Sequence, residues 1–397
     1  MQRSLPLFLT AGFRFFFLSG AVLSVMTMTI WTVWYALPQF AILVPAPDFA
    51  VAPQHWHAHE MIFGYGVAIL AGFFLTAVPN WTGTGQMRPY FILGAGSLWL
   101  LGRAAVWLMP FIPAWLAAML DLAFLPVLSL RLAANLLKRP KNPNTALLGL
   151  LALIFAGNAM VHLEWAGLTA DTARGGLWMA LLAICAFISV IGGRILPGFT
   201  RNVMVRQGAA DNLPSSHAFA ERSGVIAAVI LGPLVAFGAP EPVLGLAALG
   251  AAMANGWRLR GWRTRAILGD PLLWALHLGF GMLVLGYALL ALAWLTGLIA
   301  PVSALHGLSI GAVGGMTMAM MTRAPLGHTG RPLRAGRLAT VAYLLIAGAM
   351  AVRVAGAELM PSLAAPAVLL SGAMWITAFS FYLIAYWPVL TGPKAPA

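Results

Sequence analysis

Charge is what this chain lacks most. Only 8% of its 397 residues are charged, against about 25% in soluble domains. Hydrophobic residues make up 61%, and the mean hydropathy is +0.88. That balance excludes both a water-soluble globular protein and a disordered chain. Cysteine is nearly absent too. Cys185, inside an apolar run, is the only one, so disulfides, thiolate clusters and CxxCH haem attachment are ruled out. Long polar stretches are also missing. Twelve apolar segments of about 22 residues would take roughly 264 of the 397, leaving no loop able to hold a soluble domain. Any chemistry therefore happens in the bilayer or at its edge.

Acidic residues are few, 10 against 23 Lys and Arg, giving a net charge of +13. Such a charge invites a nucleic-acid partner, but its distribution excludes one. The basic residues sit in short loops between apolar runs, which is how membrane topology is encoded. Gly, Pro and charge punctuation predicts spans near 13–37, 56–79, 89–109, 114–137, 145–166, 175–196, 217–237, 241–259, 271–298, 301–322, 335–356 and 363–389. The expected fold is therefore all-α: one transmembrane domain over 1–397, with about 12 helices and the lipid bilayer as its partner. The start, Met1-Gln2-Arg3, leads into the first run without a small-residue cleavage site, so that run reads as a retained span.

Twenty of the 23 basic residues fall in or beside one set of loops, among them Lys138, Arg139 and Lys141, then Arg258, Arg260, Arg263 and Arg265. Arg174 alone lies in a loop on the other side, and Arg103 and Arg353 lie within spans. The positive-inside rule then places both termini in the cytoplasm. Glycine is abundant inside the spans, as at Gly311, Gly314 and Gly315. In lipid such residues mark close helix contacts; the alternative is room for a flat cofactor.

Three helix exits look alike: Thr76-Ala-Val-Pro79 in the second span, Arg194-Ile-Leu-Pro197 in the sixth and Arg323-Ala-Pro325 in the tenth. The prolines are 118 and 128 residues apart (197 − 79 and 325 − 197). Three four-helix repeats would give this period. Proline stopping helices at an interface would give it as well.

Histidine placement points to cofactor chemistry. His55, His57, His59 and Glu60 open the second span on the predicted outer side; His162 and Glu164 close the fifth there. His306 lies about 8 Å below that edge, five residues into the tenth span. Five histidines and two carboxylates thus converge on one face, and imidazole suits haem iron, copper or zinc. His59 is followed by Phe63 and Gly66, and His306 by Ile310 and Gly311. Small residues one and two turns on leave room for a porphyrin, so His59 and His306 are the expected haem ligands. His55, His57 and His162 are the expected ligands of a second metal. Glu60 and Glu164 are expected to supply protons or orient imidazoles. Arg103 and Asp121 lie at matching depth and read as a buried ion pair, or Arg103 holds a haem propionate. The opposite face carries a looser set, including His217, His277 and His328.

The chain resembles the NnrS family of bacterial membrane proteins associated with nitric oxide metabolism and denitrification. The resemblance rests on Gly12-Phe-Arg-Phe-Phe-Phe17, Trp56-His-Ala-His-Glu-Met-Ile-Phe-Gly64 running on to Pro79-Asn-Trp-Thr-Gly83, Gly192-Gly-Arg-Ile-Leu-Pro197 and Met321-Thr-Arg-Ala-Pro-Leu-Gly-His-Thr-Gly-Arg-Pro332. It implies haem b and copper, protection against nitric oxide stress, and the bacterial inner (cytoplasmic) membrane. A broader architectural resemblance runs to the catalytic subunit of haem–copper oxidases and nitric oxide reductases. Those have twelve spans in three arcs and a bis-histidine haem between helices 2 and 10, where His59 and His306 match. The copper-binding histidine triad of those enzymes is not reproduced here. The combined expectation is an oxidoreductase that binds and reduces nitric oxide, fed by quinol or an electron-donor protein. The alternatives are a transporter of copper, haem or a metal chelate, and a non-catalytic haem-binding sensor or assembly factor.

Overall fold

In the computed structural model, described for residues 6–40, 50–138 and 143–396, the chain is helical throughout, with no strand among the described residues. Arg3, Arg139 and Lys141 of the charge pattern, with Met1 and Gln2, lie outside the described residues. Twelve long helices follow in order: α1 Gly12–Gln39, α2 Pro53–Thr82, α3 Pro89–Trp107, α4 Ala114–Leu136, α5 Asn144–Trp165, α6 Ala173–Arg206, α7 Ala218–Ala236, α8 Glu241–Arg260, α9 Pro271–Thr296, α10 Pro301–His328, α11 Arg337–Leu359 and α12 Ala364–Thr391. Eleven of them are long and apolar enough to cross a membrane. The exception is α8, whose last turns carry Asn255, Arg258 and Arg260. This is a multi-pass membrane protein.

Local chemistry sets the boundaries. Proline stands in the first turn of α2, α3, α8, α9 and α10, where its missing N–H costs nothing. Asp270 caps α9 by accepting from the Leu272 amide at 3.0 Å. Gly83 and Gly297 close α2 and α9 in the left-handed conformation, at φ 65° and 68°. Pro79, Pro197 and Pro325 do not end their helices as expected; each lies inside one. Helix α6 runs on to Arg206 and α10 to His328. Membrane helices tolerate an interior proline when neighbours satisfy the freed carbonyl, and the extensions are polar sequence that a search for apolar runs leaves out.

The same three helices carry the three π-helical turns found among the described residues, at Glu60–Gly66 in α2, Ile188–Gly192 in α6 and Gly307–Gly314 in α10. Such turns are rare, and they collect at functional sites. Their recurrence in every fourth helix adds a structural mark to the proline period seen in the sequence.

The chain divides into two compact units. Unit 1 is Met1–Ala180 with Pro325–Arg331 and Leu383–Ala397; unit 2 is Leu181–Ala324 with Pro332–Tyr382. In unit 1, α1 packs along α2, and α4 lies against α2, α3 and α5. The end of the chain completes it. Arg14, 4% exposed, donates through Nη1 to the Leu390 and Gly392 carbonyls, both at 2.7 Å. The Ala395 amide donates to the Thr329 carbonyl at 2.8 Å. In unit 2, α9 packs against α8 and α10 and buries Leu276, Phe280, Leu283, Tyr287 and Leu290.

Candidate functional site

Unit 1 assembles one buried polar cluster from four helices at the end where α2 begins. His59 and Glu60 come from α2, at the entry to its π-helical turn. Arg103 comes from the last turns of α3, Asp121 from α4, and Asn158 and His162 from α5. All six are buried, and His59 and Glu60 have no exposure at all. Burying so much charge is expensive unless every group is paired. Arg103 supplies most of the pairing, with Nη1 on Glu60 and Nη2 on Asp121. The second Glu60 oxygen accepts from the Trp107 indole at 2.7 Å. Gly102 makes the approach of α3 and α4 possible, because a Cβ there would lie 2.9 Å from both Asp121 Cα and Oδ1.

The other Asp121 oxygen, Oδ2, is the focus of the cluster. It accepts from the Asn158 amide at 2.8 Å, and His162 Nε2 lies 2.8 Å from it. His59 Nε2 lies 3.3 Å from the same oxygen and 2.9 Å from Asn158 Oδ1, while His59 Nδ1 is 3.3 Å from Glu60 Oε1. The two imidazoles stand edge to face, with centroids 5.3 Å apart, and Trp165 and Phe63 close over His59 at 4.9 and 4.8 Å. One ligand atom from each of His59, Asp121 and His162 lies within 4.8 Å of the others. An apolar layer of Trp56, Val106, Met109 and Ala117, against which Trp107 and Trp165 pack, adjoins the cluster.

A comparison with protein families matches residues 7–394 to the NnrS family, described as NnrS protein. The chain belongs to the NnrS family. No curated protein matches it. NnrS membership links the chain broadly to nitric oxide-related function.

Within this NnrS protein the structure brings together His59, Glu60, Arg103 and His162 of the residues singled out in the sequence. The Arg103–Asp121 ion pair is present, and Arg103 spends its second arm on Glu60. His57 instead stacks on Trp31 of α1, with centroids 4.5 Å apart, and His55 lies in the first turn of α2. Glu164 accepts from the Ala173 amide at 2.7 Å, where a carboxylate at the start of α6 is favoured by the helix dipole. His306 belongs to unit 2, half-buried, with Nδ1 2.7 Å from the Val302 carbonyl. That bond uses the Nδ1 proton and leaves Nε2 with its lone pair.

Those contacts test the cofactor expectations. A porphyrin at His59 does not fit, since both ring nitrogens face protein groups and aromatic rings pack on the imidazole. The His306 tautomer suits an axial ligand. The glycines after it, however, serve packing. A Cβ at Gly311 would meet Met350 Sδ at 2.5 Å, and one at Gly314 would meet Trp375 at 2.5 Å. Asn158, Trp107 and Trp165 did not stand out in the sequence. Asn158 left one signal there: it precedes His162 by four residues in an apolar helix, so both side chains share a face.

In unit 2, His277 lies 2.9 Å from Thr200 Oγ1 through Nε2 and 2.9 Å from Thr264 Oγ1 through Nδ1. Arg258 donates to Ser189 of the α6 π-helical turn at 3.1 Å and to Asn255 at 2.8 Å. Both ring nitrogens of His277 thus face protein hydroxyls, while Arg258 Nε is buried without a hydrogen-bond partner among the described residues.

Proposed function

We propose that this protein binds nitric oxide and reduces it to nitrous oxide in the bacterial inner membrane, with the unit 1 cluster as its reaction centre. Two nitric oxide molecules, two electrons and two protons give nitrous oxide and water. One observation carries this reading: two histidines and three charged side chains are buried together in a chain that otherwise has almost no charge to spare. Intramembrane ionisable groups of that kind mark function by default. Nitric oxide partitions into lipid, so a centre at this depth needs no polar tunnel.

His306 would hold haem b, and bound haem and copper would supply electron storage and a binding position for nitric oxide. The chain's own residues do the rest. Glu60, fixed by Arg103 and Trp107, orients the His59 ring through Nδ1. Trp165 and Phe63 keep water from the imidazoles. Electrons come from quinol or an electron-donor protein.

The test is nitric oxide consumption by purified protein with a reduced quinol analogue, with nitrous oxide quantified in the headspace. One nitrous oxide per two nitric oxide consumed is the expected result. Binding without nitrous oxide would leave a sensor, and no interaction at all would remove the reading.

A further inference from the structure

We propose that His59, Asp121 and His162 together hold one divalent transition-metal ion outside any porphyrin. Asp121 is thereby a metal ligand as well as the partner of Arg103. The first argument is spacing. Two donors each about 2.05 Å from one ion at the tetrahedral angle stand about 3.4 Å apart. His59 Nε2 and Asp121 Oδ2 are 3.3 Å apart, and His162 Nε2 and Asp121 Oδ2 are 2.8 Å apart. Both lie within about 0.6 Å of that separation, and one ligand atom from each of the three residues lies within 4.8 Å of the others. A macrocycle would need the cluster dismantled.

Hydrogen bonding supports it as well. Asn158 gives its amide N–H to Asp121 Oδ2, so its carbonyl oxygen is what faces His59 Nε2. When the one proton of the neutral His59 ring sits on Nδ1, toward Glu60 Oε1, three electron-rich atoms, His59 Nε2, Asn158 Oδ1 and Asp121 Oδ2, converge, and a metal ion satisfies them. The other tautomer donates from Nε2 to Asn158 Oδ1 and is the form that an ion displaces.

The surroundings are those of ligated side chains. His59 rests on the Glu60 carboxylate through its other nitrogen, and Asp121 is fixed by Arg103 through its other oxygen. Outer partners of that kind orient metal ligands. Two imidazoles and one carboxylate, with no thiolate, suit iron(II), manganese, cobalt or zinc, and leave coordination positions open. The site stands whether or not nitric oxide is the substrate. Its link to the proposed reaction is that open position.

The experiment uses the full-length protein in detergent. Elemental analysis should find one transition-metal ion per chain beyond any haem iron. Chelator-stripped protein titrated with Co²⁺ should develop visible ligand-field bands. Asp121→Asn and His162→Gln should weaken Co²⁺ binding by more than the about 10–100-fold typical of outer-shell changes, and Glu60→Gln by about that amount. His55→Ala and His57→Ala should leave it unchanged. Asp121→Glu keeps the charge beside Arg103 and should fold while shifting the cobalt bands, which separates ligation from misfolding. Wild-type protein that is folded yet binds neither native metal nor Co²⁺ overturns the proposal. So do unchanged cobalt bands in Asp121→Glu and His162→Gln. An ion bound without nitrous oxide production supports the site and sinks the proposed reaction alone.

Discussion

Helices α2 and α10 follow one plan and reach different chemistry. Each opens on a proline, places a histidine five or six residues later, enters a π-helical turn at the next residue, and carries a proline 19 or 20 residues beyond the histidine. The helix after each also bears an arginine deep in its sequence, Arg103 in α3 and Arg353 in α11. A further 18 residues on (121 − 103 and 371 − 353) stands Asp121 in α4 and Ser371 in α12. What differs is the carboxylates. Glu60 and Asp121 of the first set correspond to Gly307 and Ser371 in the other. His59 is accordingly drawn into a buried network of side chains, whereas His306 bonds to a carbonyl of its own helix. The repeated backbone provides a place for a histidine. The acidic partners decide whether that place becomes a charged centre.

The largest effect should come from the backbone device itself. Removing Met61 from the α2 π-helical turn restores ordinary winding and turns everything before it by about 100°. His59 then leaves Asp121, and the Co²⁺ bands should vanish. Removing Leu308 from α10 moves His306 and Val302 together, so their bond and the unit 1 ion should both survive. Next in size is Asp121→Ala, which takes the acceptor from Arg103 Nη2, Asn158 and His162 while Glu60 still faces Arg103 Nη1, and should cost about 3–5 kcal/mol in detergent unfolding experiments. Its counterpart Ser371→Ala loses one hydrogen bond, from Ser371 Oγ to the Ala349 carbonyl at 2.9 Å, and should cost about 1 kcal/mol. The smallest contrast lies in the glycines. Gly102→Ala meets backbone and should cost about 1–3 kcal/mol, while Gly311→Ala meets the flexible Met350 side chain and should cost less. Equal costs within each pair would mean that the two regions do not differ as described.

Much of the fold was legible because lipid imposes a long apolar run and a punctuated loop on every span. All twelve expected segments coincide with helices, and most ends agree within two or three residues. The errors fall where lipid no longer dictates sequence, in the polar extensions of α6 and α10 beyond their prolines. The π-helical turns left no mark that periodicity could detect, since most side chains within and after them are apolar. For the site, depth alone flagged His59, Glu60, Arg103, Asp121 and His162. Their grouping was hidden because it depends on which helices of the bundle are neighbours, and the 99 residues separating His59 from Asn158 say nothing about that.

The clamp between Arg14 and the carbonyls at the end of α12 sets an order of events during synthesis. Helix α1 is made long before α12, yet the carbonyls that accept from its buried guanidinium emerge only with Leu390 and Gly392. Until then the cell's insertion machinery or lipid headgroups must shield that charge. Unit 1, whose segment up to Ala180 holds the entire histidine–carboxylate cluster, is thus finished only after α12 has been made. A protein stalled or clipped shortly before Leu390 would carry an exposed defect that quality control can read.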